Sequence, residues 1–264
     1  MRLLRFFIAS LFVFILPAPD CDAQSTDSAT SAGSTQFKNT SSRRWWMGTN
    51  YRKEWLTPVK ARIINLSTEQ GGLTPTKRGG GKQTKNLRLE DPQGREYTLR
   101  SIQKFITSKT LPEGLESEAA ADLVADGVSA SYPYAALSVA PLADAAGIAH
   151  SEAKLVYIPD DPKLGEHRAD FANMLALFEK RLPDSVKKGF DTDEVVAKLK
   201  DDNDNDIDQR SLLKVRILDM FVMDLDRHED QWIWGSWDNG KGKTYFPVAK
   251  DRDQAFYINN GFLP

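Results

Sequence analysis

The chain has 264 residues, 41% hydrophobic and 27% charged, with 35 Lys and Arg against 37 Asp and Glu. That length suffices for one large or two small domains with an ample core, at the composition of an ordinary globular protein. A formal net charge of −2 gives no electrostatic reason to expect nucleic acid or an anionic membrane as partner.

Residues 1–23 read as a secretory signal. Met1 to Arg5 is basic, Phe6 to Leu16 is apolar, and Pro17, Pro19 and small residues lead to cleavage after Ala23. The apolar run is too short for a comfortable membrane span, and Asp20 before Cys21 argues against a lipid anchor. Cleavage also removes Cys21, the only cysteine, which leaves the exported chain to be stabilised by packing rather than disulfides. Residues 24–42, almost wholly Ser, Thr, Ala, Gly and Asp, carry no apolar period and predict a disordered linker.

Arg43 to Trp55 is aromatic and basic, which suits ligand stacking or, more commonly, the capping of a core. Val59 to Leu66 predicts a strand. In Lys77-Arg78-Gly79-Gly80-Gly81-Lys82 the glycines let backbone N–H groups approach an anion and the flanking bases favour phosphate; the same residues would also serve as a plain hairpin tip. This is not a P-loop, because Gln83 follows Lys82 where Ser or Thr is required. Two strands follow, Lys85 to Glu90 and Arg95 to Ile102, joined by a turn at Asp91-Pro92-Gln93-Gly94.

Pro112 to Gly147 predicts two helices, 113–129 and 134–146, separated at Pro133 and stopped at Gly147. Glu113, Glu116 and Glu118 near the start of the first suit the helix dipole. Lys154 to Ile158 and Asn173 to Phe178 read as strands, and Thr192 to Lys200 as a short helix. The acidic run 201–208 fails the test for a calcium loop: Ile207 stands where Gly is needed and Leu213 where a carboxylate is. Asp206 or Asp208 is expected to cap the next helix.

The last stretch concentrates the chemistry. Leu213, Ile217, Met220 and Phe221 recur at helical spacing and predict a helix buried on that face, turning polar at Asp224 and ending in Asp226-Arg227-His228, with Gln231 beyond. Turn formers from Asp238 to Lys243 return the chain along a strand, Lys243 to Ala249, which Pro247 predicts at a sheet edge. That strand leads to Asp251-Arg252-Asp253. Carboxylates brought together repel unless a cation sits among them, and oxygen ligands without cysteine suit Mg²⁺ or Mn²⁺. A structural salt-bridge network of Asp226, Arg227 and Asp251, with a hydrogen-bonded His228, accounts for the same residues without chemistry.

Asp226-Arg227-His228, the amide at Gln231, a Gly/Lys turn, a strand and then Asp251, Asp253 and Phe256 resemble the catalytic and metal loops of atypical kinases. The CotH-type pattern is the nearest, and the HipA-type, secretory-pathway and phosphatidylinositol-kinase-like families share its outline. The resemblance implies an α+β, two-lobed, protein-kinase-like domain, with an antiparallel-sheet N-lobe over 43–181 and a mainly helical, truncated C-lobe over 182–264. It implies transfer of the ATP γ-phosphate to a hydroxyl acceptor with Mg²⁺ or Mn²⁺. Asp226 then matches the catalytic Asp, with Arg227 and His228 beside it. Asp251 matches the metal-holding Asp, with Asp253 and Gln231 as further contacts, although Gln231 stands where these families have Asn. Gly79, Gly80, Gly81 and Lys82 would cover the phosphates, and Arg100, where kinases have Lys, or alternatively Lys104, would reach them while held by Glu116 or Glu118. Phe178 to Arg181 would form the hinge. A similar region precedes outer-membrane barrels in larger bacterial surface proteins, so the implied location is periplasmic or at the outer membrane, with an unidentified acceptor, protein among the candidates. The rival functions at this level are a non-catalytic kinase-like binding module of the envelope and an acid-dependent hydrolase using Asp226 and Asp251.

Overall fold

The computed structural model describes residues 27–37, 40–79, 83–111, 113–114 and 116–262. The expected signal at 1–23 and the loop residues Gly80, Gly81 and Lys82 lie outside the described residues. The chain runs through β1 (Ser28–Ser31), α1 (Ser41–Met47), α2 (Arg52–Leu56), β2 (Val59–Ile63), β3 (Thr74–Gly79), β4 (Asn86–Glu90), β5 (Glu96–Ser101), α3 (Glu118–Gly127), α4 (Ala135–Ala145), β6 (Ala153–Ile158), α5 (Arg168–Phe171) and β7 (Met174–Lys180). The strands so far form one seven-stranded sheet, ordered β1-β2-β6-β7-β5-β4-β3. A second group, α6 (Thr192–Asp201), β8 (Asp206–Ile207), α7 (Gln209–Phe221), β9 (Trp232–Asp238) and β10 (Lys243–Ala249), contributes a three-stranded sheet ordered β8-β10-β9. The class is α+β, and the two sheets are consistent with two lobes.

Side-chain alternation decides how the large sheet is used. Leu87 and Leu89 of β4 and Tyr97 and Leu99 of β5 are buried in one core with Ile64, Leu66, Leu73, Ile158, Leu164 and Phe171. Asn86, Arg88, Thr98 and Arg100 therefore occupy the opposite face. A slip of one residue would expose the leucines and bury the arginines, and each buried leucine is worth roughly 1.5–3 kcal/mol, so the register is strongly held. In that register Asn86 lies beside Arg100 and Arg100 beside Leu177, while Arg88 lies beside Thr98 and Thr98 beside Glu179. A polar strip thus crosses three strands.

Several expectations are corrected. The large sheet is mixed rather than antiparallel, because β2 pairs parallel with β6. The C-terminal part is not mainly helical: α6 and α7 share it with the small sheet. Ser28–Ser31, inside the expected linker, pairs antiparallel with β2; short Ser and Ala side chains need no apolar partner to serve as an edge strand. Strand β10 is central rather than at an edge, but β8 pairs with it only at Thr244 and Tyr245. Pro247 therefore meets no partner on that side that would require its missing N–H.

Helix α7 is inverted relative to its predicted face. Val215, Leu218, Asp219 and Val222 point inward, whereas Leu213 and Ile217 are exposed and Met220 and Phe221 are 73% and 76% exposed. Both sets follow the spacing i, i+3 or i+4, i+7, so periodicity alone could not choose, and the buried set contains a carboxylate that only its arginine partners make tolerable. Asp208 caps the helix, as expected, by accepting from the Ser211 N–H at 3.0 Å. At the other end Asp224 N donates to the Asp219 carbonyl at 2.8 Å and Met223 N to the Met220 carbonyl at 3.3 Å, a Schellman closure with Met223 at φ 55° where glycine is usual. Met223→Gly is expected to raise stability by about 1 kcal/mol in urea unfolding, by relieving left-handed backbone in a half-exposed side chain. A net loss would mean that Met223 packing outweighs that strain.

Candidate functional site

The polar strip of the large sheet floors a cavity of about 190 Å³. Its other walls are Ala136, Val139, Ala140 and Ala143 of α4 and the segment Ala249–Asp253 after β10. The alanines recur every three or four residues, and their small side chains leave the space open. Gly79 and Asn86 line it where the β3–β4 hairpin begins and returns. Six cationic side chains, Arg88, Arg100, Lys180, Arg181, Lys250 and Arg252, line this cavity against three carboxylates, Glu179, Asp251 and Asp253. Five buried atoms among its lining residues have no hydrogen-bond partner: Asn86 Oδ1, Arg100 Nε, Ser151 Oγ and the Nε and Nη2 of Arg252. Buried polar atoms are normally satisfied, so this cavity has the chemistry of a site for a polar, anionic ligand.

Arg100 sits at its centre, bonded to Asp251 and, at 3.3 Å, to Glu179. Burial disfavours its charge, but Asp251 and Glu179 outweigh this and hold the guanidinium firmly protonated. Burial pushes both carboxyl groups up, against the pull of Arg100, with repulsion from Asp251 adding to the rise at Glu179 and repulsion from Asp253 adding to it at Asp251. Asp251 adopts φ 53°, and Met223 and Phe256 in the same pair of loops are also left-handed, so uncommon backbone conformations gather at this site.

A second cavity, of about 570 Å³, lies on the other side of Asp251 and Asp253, which line both. Asp226, His228, Gln231, Lys104, Gln83, Thr84 and Gln254 complete its polar lining, with Met223, Leu225 and Tyr257 as apolar rim. Asp253 is bonded to Lys104. Asp226 is exposed, and Gln231 Nε2 donates to its Oδ2 at 3.3 Å. The two loops therefore converge on one pocket, as the sequence predicts.

Arg227 accounts for that convergence. Its side chain is 1% exposed and bonds Asp219 and Asp224 behind the loop. It also donates to the Lys250 carbonyl and, at 3.2 Å, to Gln231 Oε1. Lys250 N donates in turn to the Gln231 carbonyl at 2.9 Å. Arg252 closes the cluster through Asp219 at 2.7 Å. Two aspartates and two arginines thus clamp the segment carrying Asp226 to the segment carrying Asp251. Burial raises the Asp224 carboxyl to about 6, against the attraction of Arg227 and with repulsion from Asp219 assisting.

Three assignments change accordingly. Arg227 faces the ion cluster rather than the cavity, so it positions the loop and has no access to a substrate. Gln231 commits its oxygen to Arg227 and turns its nitrogen to Asp226, which withdraws it as a metal ligand and makes it the residue orienting Asp226. Glu116 and Glu118 are exposed and away from Arg100; Glu118 accepts from Ser108 Oγ instead. Glu179, a lone acid inside the apolar strand β7, takes their place, and that break in an apolar run is the signal that could have found it. His228 lines the second cavity but is 47% exposed. Among the described residues no group of three or more His, Cys, Asp or Glu side chains is arranged to hold a metal ion, which leaves Asp251 and Asp253 as a two-carboxylate set. Mg²⁺ is commonly held by one or two carboxylates together with phosphate oxygens and water, so the set fits an ion that arrives with a phosphorylated ligand.

Comparison with models of known protein families and with curated proteins finds no match to the chain. No helix among the described residues is long and apolar enough to cross a membrane.

Proposed function

We propose that this protein is an atypical kinase-like phosphotransferase. It takes a nucleoside triphosphate in the first cavity and passes the γ-phosphate to a hydroxyl presented in the second. What carries the reading is the shared wall: Asp251 and Asp253 stand between a cationic cavity with unsatisfied polar atoms and a cavity holding an accessible carboxylate, Asp226.

Each residue then has a task. Arg100 and Gly79 would steady the phosphates, while Asp251 and Asp253 would hold a divalent ion, which would supply positive charge to the phosphate oxygens. Asp226, oriented by Gln231, accepts the proton of the acceptor hydroxyl as its oxygen bonds to phosphorus. The bond from phosphorus to the β–γ bridging oxygen breaks, and the diphosphate leaves with that electron pair.

Thermal unfolding with ATP, with and without Mg²⁺, tests the binding half. At about 100 times Kd, ATP with Mg²⁺ is expected to add about 2.7 kcal/mol, which is a rise of roughly 5–10 °C at this size. Asp251→Ala should lose the part that depends on the ion. Equal shifts in both proteins, or none in either, would end the proposal.

A further inference from the structure

Of the six cations lining the first cavity, four have a carboxylate partner: Arg100 with Asp251, Lys180 with Asp184, Arg181 with Glu96 and Arg252 with Asp219. Arg88 and Lys250 have neither an ion pair nor a side-chain hydrogen bond to any described residue. They approach from different walls. Arg88 projects from β4 in the polar strip beside Thr98. Lys250 follows β10, its backbone fixed by Gln231 and Arg227 on either side of its own peptide groups. Half-buried charges without a direct ion pair are unfavourable in the free protein, and both line a space whose own carboxylates are paired with Arg100 and Lys104.

We infer that Arg88 and Lys250 are the anion-reading residues of the cavity, bracketing a polyphosphate chain and selecting it over uncharged or singly charged ligands. This rests on the reading of the cavity as a nucleotide site. It assigns charge recognition to two positions outside the Asp-Arg-His and Asp-x-Asp motifs. Arg100, in contrast, is occupied by Glu179 and Asp251, and its unbonded Nε is buried.

Titration calorimetry with tripolyphosphate, without metal, provides the test, using wild type, Arg88→Met, Lys250→Met and the double variant. Each single substitution is expected to weaken tripolyphosphate about tenfold and the double about a hundredfold, as for sites on separate walls. Adenosine affinity should not change, and Lys250→Arg should recover most of the loss. A purely structural lysine would destabilise when replaced, whereas Lys250→Met is expected to raise the Tm of the free protein by about 2 °C. Lys250→Gln, read in the same two ways, covers a failure of the methionine variant to fold. Absence of tripolyphosphate binding by the wild type, or equal affinities across the series, overturns the inference. Phosphate transfer that persists with those equal affinities would leave the phosphotransfer reading standing alone. Charge-dependent binding with no transfer would do the reverse.

Discussion

Asp226→Asn is expected to slow phosphate transfer about 10²- to 10⁴-fold, the range typical of a removed general base, while leaving ATP-dependent stabilisation within a factor of two in affinity. The amide keeps the shape of the carboxyl, so Gln231 retains a neighbour at 3.3 Å; what disappears is the capacity to take the acceptor proton. The separation of the two effects follows from geometry, because Asp226 lines only the second cavity while nucleotide contacts lie in the first. A radiolabelled transfer assay with a hydroxyl-rich peptide or polysaccharide pool, alongside thermal unfolding, reads both quantities. Transfer within tenfold of wild type would remove Asp226 from the reaction, and a parallel loss of ATP binding would make it a structural residue.

How far such a site could be seen in the sequence depends on how local its determinants are. The strands β4 and β5 were legible because Leu87, Leu89, Tyr97 and Leu99 alternate with polar residues, and that alternation also aims Arg100 away from the core. The caps and turns were legible for the same reason, since Asp208 and Asp91-Pro92-Gln93-Gly94 act within a few residues of themselves. The face of α7 was not. Burying Asp219 is tolerable because Arg216 on the same helix and Arg227 and Arg252 beyond it neutralise the carboxylate, and no window of apolar residues contains that information. Glu179 was missed as the partner of Arg100 for a related reason: pairing of β5 with β7 joins residues 79 positions apart. Gln231 was assigned to a metal because an amide side chain presents both an oxygen and a nitrogen, and only the position of Arg227 fixes which end faces Asp226.

Arg227→Met is expected to destabilise the protein by about 3–5 kcal/mol, the range for a buried ion pair broken on one side. Arg227 is 1% exposed and bonds two carboxylates, a side-chain amide and the Lys250 carbonyl, so methionine of similar length fills the volume but leaves Asp219 to Arg216 and Arg252 and Asp224 to Arg252 at 3.8 Å. The loss should also depend on pH, with a definite sign. In wild type the Asp224 carboxyl is raised from 3.8 to about 6, so its folded state binds a proton more tightly than its unfolded state. That contribution to stability is complete below pH 3.8 and is lost as pH rises through about 6. Arg227 pulls this value down, so its removal lifts the folded value further and extends the window of loss to higher pH. Urea unfolding should therefore show a smaller difference between the proteins at pH 5, where a proton replaces the missing cation, than at pH 8, where Asp224 must either ionise with only the more distant Arg252 beside it or stay protonated at rising cost. A difference independent of pH would mean that Asp224 is already neutral beside Arg227, and that the clamp between the two site loops rests on hydrogen bonds to the Gln231 amide and the Lys250 carbonyl rather than on charge.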